Sequence, residues 1–245
     1  ERRRIEHDRV EAFAALVDSK PVRERRSELV AERPEILVLR VDRTDPSKNA
    51  VRGFEAFALF LRNHPEWHRR VRFLALLSPS RMDVPEYLTY GEECVAAAER
   101  VNAEFGDEDW RRLEVRVKDD YLGALAAYGI SDVLLVNPIY DGMNLVAMEG
   151  PLLNRRAGVL VLSRNAGAYW RLGKHALAVN PFDLRETADA IHRALEMPRE
   201  ERGRRARGLS RLVLSNPAER WVGTQLEDLE RARVRRRGRP PEVVV

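Results

Sequence analysis

Two cations and two acids stand at spacings that suit a phosphorylated ligand. Arg43 and Lys48 share the stretch Val41-Asp42-Arg43-Thr44-Asp45-Pro46-Ser47-Lys48-Asn49, which follows an apolar run and precedes a segment of helical spacing. Arginine offers a forked contact, lysine a point charge and a helix N-terminus a positive dipole, a combination that suits a diphosphate. Surface pairing with Asp42 and Asp45 is the alternative for both cations. Further along comes Asn137-Pro138-Ile139-Tyr140-Asp141-Gly142-Met143-Asn144-Leu145-Val146-Ala147-Met148-Glu149-Gly150. Gly142 lets backbone approach a ligand closely. A helix opening near Asn144 leaves several N–H groups unpaired and able to take a phosphate. Glu149, one to one and a half turns inside that helix, is placed to bind a sugar diol through two oxygens. A plain turn at Asp141-Gly142 and a solvated Glu149 are the blander readings. Two further stretches are weaker signals: Ser78-Pro79-Ser80-Arg81 adds a cation, and Ser163-Arg164-Asn165-Ala166-Gly167-Ala168 forms a small-residue turn that serves ligand approach or tight packing equally.

Other chemistries find no support in the spacing. The five histidines (His7, His64, His68, His175, His192) are scattered and Cys94 is the single cysteine, so no zinc pattern is visible. His64 and His68 lie four apart but lack a third ligand nearby and read as an exposed helix face. Asp107-Glu108-Asp109 reads as a solvated loop. There is no G-x-S-x-G elbow, P-loop or G-x-G-x-x-G.

The elements that must position these residues follow a regular rhythm. Short apolar runs occupy 35–41, 71–77, 113–117, 132–137, 158–163 and 175–179, and segments of helical spacing fill 50–63, 84–105, 120–129, 144–153 and 183–197. Near-continuous apolar strands alternating with helices predict an α/β fold: a Rossmann-like doubly wound parallel sheet with helices on both faces. Ligands of such sheets bind beyond the carboxyl ends of the strands, where the residues singled out above fall. Asp183 and Glu186 form a capping box for the last of these helices, with Ala188, Ile191 and Leu195 as its buried stripe. The expected organisation is a helical lead-in over 1–34, a Rossmann-like domain over 35–198 and C-terminal helices over 199–232. Asn216-Pro217 opens the last of those helices, and a basic flexible tail covers 233–245.

The chain has 245 residues, 44% of them hydrophobic, enough for a sizeable core. No apolar run approaches the roughly 18–20 residues that span a bilayer, the N-terminus is charged, and the one cysteine suits a reducing compartment, so a cytoplasmic protein is expected. The net charge of +4 is uneven. Residues 198–245 carry 13 arginines and 7 acids, leaving the body at −2. Arg237-Gly238-Arg239-Pro240 resembles minor-groove DNA hooks, but a solvated basic tail is the better reading and nucleic acid an unlikely partner. The chain begins at Glu1 without a methionine, as a processed, trimmed or partial chain would.

The order of the pieces carries a resemblance. VDRTDPSK, SPSR, DGMNLVAME, GVLVLSRNAGA and ALAVNPFD, taken together over residues 30–230, resemble the C-terminal half of trehalose-6-phosphate synthases. These are retaining glycosyltransferases of the GT-B architecture, which place two Rossmann-like domains around a cleft. By position, the resemblance implies that Arg43 and Lys48 hold the donor diphosphate with Arg81 nearby, and that Asp141 contacts donor sugar hydroxyls. It further implies that the amides of Gly142, Met143, Asn144 and Leu145 cradle sugar and phosphate, that Val146 borders the nucleoside and that Glu149 binds the ribose. The implied donor is UDP-glucose or GDP-glucose and the acceptor glucose 6-phosphate. No cofactor or metal is expected, since Arg43 and Lys48 supply the neutralising charge. The leaving phosphate takes the acceptor's proton in such a mechanism. An N-terminal acceptor domain, matched by nothing here, is the implied partner, whether in the same protein or a separate chain, and a homo-oligomer is a further possibility. Without it the chain is expected to bind donor and transfer little.

Five departures from the pattern stand out. Asn49 replaces the glycine after the lysine, and Pro46-Ser47 a tyrosine-threonine. Tyr140 and Met148 replace an arginine and a lysine, and Trp170-Arg171 an acidic pair. The first two, with the run Glu149–Asn154, resemble the actinobacterial branch that includes validoxylamine A 7′-phosphate synthase-like pseudo-glycosyltransferases. These couple a nucleotide-activated cyclitol to an aminocyclitol phosphate. A non-catalytic module that senses nucleotide or sugar phosphate is the remaining alternative.

Overall fold

The computed structural model describes residues 15–107, 109–215 and 218–237, without the side chains of 218–221 and 234–237. Strands β1 (Ile36–Arg43), β2 (Val71–Ser78), β3 (Leu113–Val117), β4 (Val133–Val136), β5 (Val159–Ser163) and β6 (Leu177–Val179) form one sheet in the order β3-β2-β1-β4-β5-β6. Every pairing is parallel. The helices are α1 (Lys20–Ala31), α2 (Ala50–Asn63), α3 (Pro85–Phe105), α4 (Tyr121–Tyr128), α5 (Val146–Leu153), α6 (Tyr169–Leu172), α7 (Leu184–Glu196), α8 (Arg199–Leu214) and α9 (Ala218–Arg237).

Strand alternation divides the core into two layers. Val38, Val133, Leu135, Val159, Val161 and Val179 pack with α2, α3 and α7. Leu37, Leu39, Leu134, Val136, Leu160 and Leu162 pack with α1, α4, α5 and α8. On the first face Phe73 takes Phe54 and Phe57 edge-on, with ring centroids 5.4 and 5.2 Å away, the arrangement that aromatic quadrupoles favour. At the amino end of the sheet, buried Asp132 accepts from the Leu37 N–H at 2.9 Å and pairs with Arg33, Arg156 and Arg202.

Several boundaries differ from the periodic reading for local reasons. β1 runs two residues past the apolar run, because Asp42 and Arg43 still pair with Leu77 and Ser78. α5 opens at Val146, not Asn144, since Asn144 has φ 50° and cannot be a helical residue. Asp183 caps α7 by accepting from Glu186 N–H at 2.9 Å, but Glu186 does not close the expected box. Its carboxylate instead accepts from Asn180 N–H at 2.7 Å and pairs with Arg164. α9 continues to Arg237, so the first five residues of the expected tail are helical. Asn216, Pro217 and residues 238–245, including most of the basic hook, lie outside the described residues, as does Glu108. No described helix is long and apolar enough to cross a membrane.

Candidate functional site

After β1 the chain crosses to β2 on one side of the sheet, and β4 later pairs with β1 on the other. The carboxyl ends of β1 and β4 therefore flank the switch point of the fold, where loops diverge and leave a crevice. Lys48 belongs to the first of these loops and Asp141 to the second. Their side chains meet at 2.6 Å, both largely buried. Lys48 thus does not pair with the acids of its own loop.

Asp45 caps the short 3-10 turn Pro46–Lys48, accepting from Ser47 N–H at 2.9 Å and Ser47 Oγ at 2.7 Å. The turn exits through Asn49 at φ 65°, a left-handed conformation that asparagine tolerates better than most side chains. Its amide Nδ2 donates to the Asn137 carbonyl at 2.9 Å and the Pro181 carbonyl at 2.8 Å. Asparagine in place of glycine therefore keeps the backbone geometry and ties the lysine loop to two neighbouring strand ends. The β4 loop is fixed in the same manner: Ile139 N–H donates to the Ser47 carbonyl at 2.8 Å, and Asn165 Nδ2 to the Ile139 carbonyl at 2.8 Å.

Beneath both loops lies Arg40, whose side chain is wholly buried. Its guanidinium donates to Asn137 Oδ1 at 2.5 Å and to the Lys48 carbonyl, and pairs with Asp42 at 2.9 Å. Asp42 Oδ2 has no hydrogen-bond partner, so the contact is an ion pair without hydrogen-bond alignment. A Cβ on Gly53 would lie 2.9 Å from Arg40 Nη1, so a glycine in α2 makes the room. Burial pushes the Asp42 carboxyl up to about 6, against the pull of Arg40 and Lys48. For Asp141, burial acts upward too. Hydrogen bonds from Lys48 and Asn144 and the lysine charge outweigh it and hold the carboxyl below its ordinary value.

Asn144 organises the start of α5. Its Nδ2 donates to Asp141 Oδ2 at 2.8 Å, and its Oδ1 accepts from Ala147 N–H at 2.9 Å. The N–H groups of Met143, Asn144, Leu145 and Val146 donate to no described group, whereas the Gly142 N–H, expected in the same cradle, is taken by Asp141 Oδ1 at 2.9 Å. Gly142 meets nothing within 4 Å of where a Cβ would sit, so space in front of it is open. Gly167 serves packing: its Cβ would come within 2.7 Å of the Gly142 carbonyl oxygen, and its N–H donates to that oxygen at 2.8 Å.

A cavity of about 440 Å³ collects most of these groups. Arg43, Lys48, Asp141, Met143, Asn144, Leu145, Val146 and Glu149 line it together with Asp42, Tyr121 and Tyr128. Arg43 is half exposed, with Asp45 3.5 Å away. Glu149 has no described hydrogen-bond partner, and burial alone raises its carboxyl. Arg81 stands apart from this lining: at φ 46° it donates to Tyr87 Oη at 2.8 Å and lies over that ring. Sequence reasoning passed over Lys118, Asp119 and Tyr121, which line the cavity from the end of β3. The rule that sends function to strand ends covers that position as well. Arg40 was missed for another reason: inside an apolar run it gives no sign of what it touches.

Residues 8–231 match the sequence profile of glycosyltransferase family 20. A probable UDP-forming alpha,alpha-trehalose-phosphate synthase of Arabidopsis thaliana is 40% identical over 189 residues, covering 76% of this chain and 23% of that protein. A trehalose-6-phosphate synthase of Sinorhizobium fredii is 39% identical over 198 residues, 79% of this chain and 42% of its own length. Among solved structures, a UDP-forming synthase from Burkholderia xenovorans superposes with a TM-score of 0.81 at 38% identity, covering 90% of this chain and 49% of that one. A trehalose-6-phosphate structure from E. coli, bound with UDP-2-fluoro glucose, superposes with a TM-score of 0.81 at 32% identity, covering 89% of this chain and 49% of that one. The chain thus spans less than half the length of these relatives. With sheet order, loop residues and profile in agreement along nearly all of its length, the chain belongs to glycosyltransferase family 20, the trehalose-6-phosphate synthase family.

Proposed function

We propose that this chain is the nucleotide-sugar-binding half of a retaining glycosyltransferase that moves glucose from UDP- or GDP-glucose to glucose 6-phosphate. Arg43 and Lys48 neutralise the donor diphosphate without a metal, the free amides of residues 143–146 take its oxygens and those of the sugar, and Glu149 binds the ribose diol. Asp141 holds Lys48 and turns to the donor sugar hydroxyls when the diphosphate claims the lysine. The observation that carries this reading is the gathering of Lys48, Glu149 and four unbonded amides on one cavity at the switch point. The E. coli relative bound with UDP-2-fluoro glucose and a Burkholderia xenovorans synthase in complex with glucose-6-phosphate supply the ligand chemistry. The acceptor site is the work of a further domain or a partner chain, so these 245 residues alone bind donor and form no trehalose 6-phosphate.

Calorimetry with UDP, GDP and their glucose esters tests this and identifies the base. Arg43→Ala and Lys48→Ala each weaken diphosphate binding by about 1.5–3 kcal/mol, the worth of a charge-assisted contact. Glu149→Gln weakens nucleoside binding and spares inorganic diphosphate. Parental affinity in all three variants refutes the site. Trehalose 6-phosphate made by the chain alone refutes the division of labour, and a preference for a nucleotide-activated cyclitol over both glucose esters moves the reaction to pseudo-glycosyl transfer.

A further inference from the structure

The fold brings His192 of α7 against His64, which caps the carboxyl end of α2. The two imidazoles lie nearly parallel, with ring centroids 3.6 Å apart and planes 10° from one another. Glu66, in the 3-10 turn Pro65–Trp67 that follows α2, places Oε1 3.3 Å from His64 Nδ1. One ligand atom from each of the three residues lies within 4.8 Å of the other two. His68, the neighbour four residues along the chain, is engaged elsewhere, with its Nε2 2.9 Å from the Leu61 carbonyl oxygen. The His192 ring has no hydrogen bond to any described residue, and the His64 ring has only the long contact to Glu66.

We propose that His64, Glu66 and His192 form a zinc-type divalent metal site that ties the carboxyl end of α2 to α7. Two imidazole nitrogens and one carboxylate are a donor set that zinc takes with water in the fourth position, and imidazole selects against calcium and magnesium. Bonds of about 2.0–2.1 Å in a tetrahedron place ligand atoms about 3.4 Å apart. Closing from the present spacing needs a tilt of the stacked rings and an inward swing of Glu66, whose side chain is exposed and free to move. Phe60 packs beside both rings, 5.6 Å from His64 and 6.4 Å from His192, which limits the conformations to be given up on binding. The ligands come from helices that meet only in the folded chain, so the metal binds the native state and not the unfolded one. The site lies at the far end of α2 from Lys48, about 20 Å along a 14-residue helix, and does not rest on the reading of the donor cavity.

The test strips the full chain of metal by dialysis against chelator and titrates it with zinc chloride by calorimetry. The expected result is one saturable zinc per chain with Kd below about 10 µM and a melting temperature raised by about 5 °C or more at saturation. His192→Ala weakens the binding at least about ten-fold. Glu66→Gln, an exposed substitution that leaves folding alone, does the same, and His68→Ala leaves it unchanged. Parental binding weaker than about 10 µM, or binding that survives both His192→Ala and Glu66→Gln, overturns the proposal.

Discussion

Replacing Arg40 with methionine removes the cation that bridges the two loops of the site while keeping most of its volume. The guanidinium has no exposed surface and engages the Lys48 carbonyl, Asn137 Oδ1 and Asp42. Breaking a buried pair on one side costs about 3–5 kcal/mol when the other charge stays behind. Asp42 limits the cost, because its carboxyl already sits at about 6 and takes a proton instead of remaining charged. Each further pKa unit is worth about 1.4 kcal/mol, so a loss of about 3 kcal/mol is expected near pH 7. The sign of the pH dependence is fixed. Asp42 titrates at about 6 when folded against an ordinary 3.8, so its share of the stability is full below 3.8 and is lost as pH rises through 6. Arg40 lowers the folded value; without it the loss continues at higher pH. The deficit of Arg40→Met against the parent is therefore smaller at pH 5 than at pH 8, whereas the deficit of Arg40→Met/Asp42→Asn against Asp42→Asn alone is the same at both. Urea unfolding at the two pH values measures it. A deficit equal at both, or a pH dependence that persists after Asp42→Asn is added, refutes the assignment of Asp42 as the titrating partner.

Two further substitutions test how the loops and α5 are held. Gly150→Ala places a methyl 2.2 Å from Leu134 Cδ2, pushing α5 from β4, and should cost about 1–3 kcal/mol in urea unfolding; an unchanged midpoint would mean that this contact relaxes freely. Asn49→Gly restores the more permissive residue at φ 65° yet deletes hydrogen bonds to the Asn137 and Pro181 carbonyls, so a net loss of about 1–2 kcal/mol is expected, and a gain would show that backbone relief outweighs them.

The parallel sheet was legible because each strand is a run of apolar residues, a signal that survives without knowledge of neighbours. The loop signals were legible for a related reason: cations, glycine and asparagine stand out against the apolar runs that they follow. Partners across the fold were not. Lys48 finds its acid 93 residues away, and His64 finds His192 rather than the His68 that shares its local spacing. Arg81 shows the converse, a cation at a strand end whose chemistry is spent on a tyrosine six residues along.

Asn49 shows why a departure from a family pattern is not by itself a loss of local geometry. An asparagine where glycine is usual looks like a loss when the position is compared alone, and an arginine inside an apolar strand gives no sign of its purpose. In the fold they act on the same backbone: Arg40 holds the Lys48 carbonyl and the Asn137 side chain from below, while Asn49 holds the Asn137 and Pro181 carbonyls from the side. Three strand ends are thereby fixed around the lysine loop by side chains instead of by the compactness of glycine. A loop pinned in this way is organised before any ligand arrives, and the cost of ordering it falls on folding and not on binding. Asn49 therefore keeps the geometry of the proposed diphosphate site by a different set of hydrogen bonds, a view that Asn49→Gly tests.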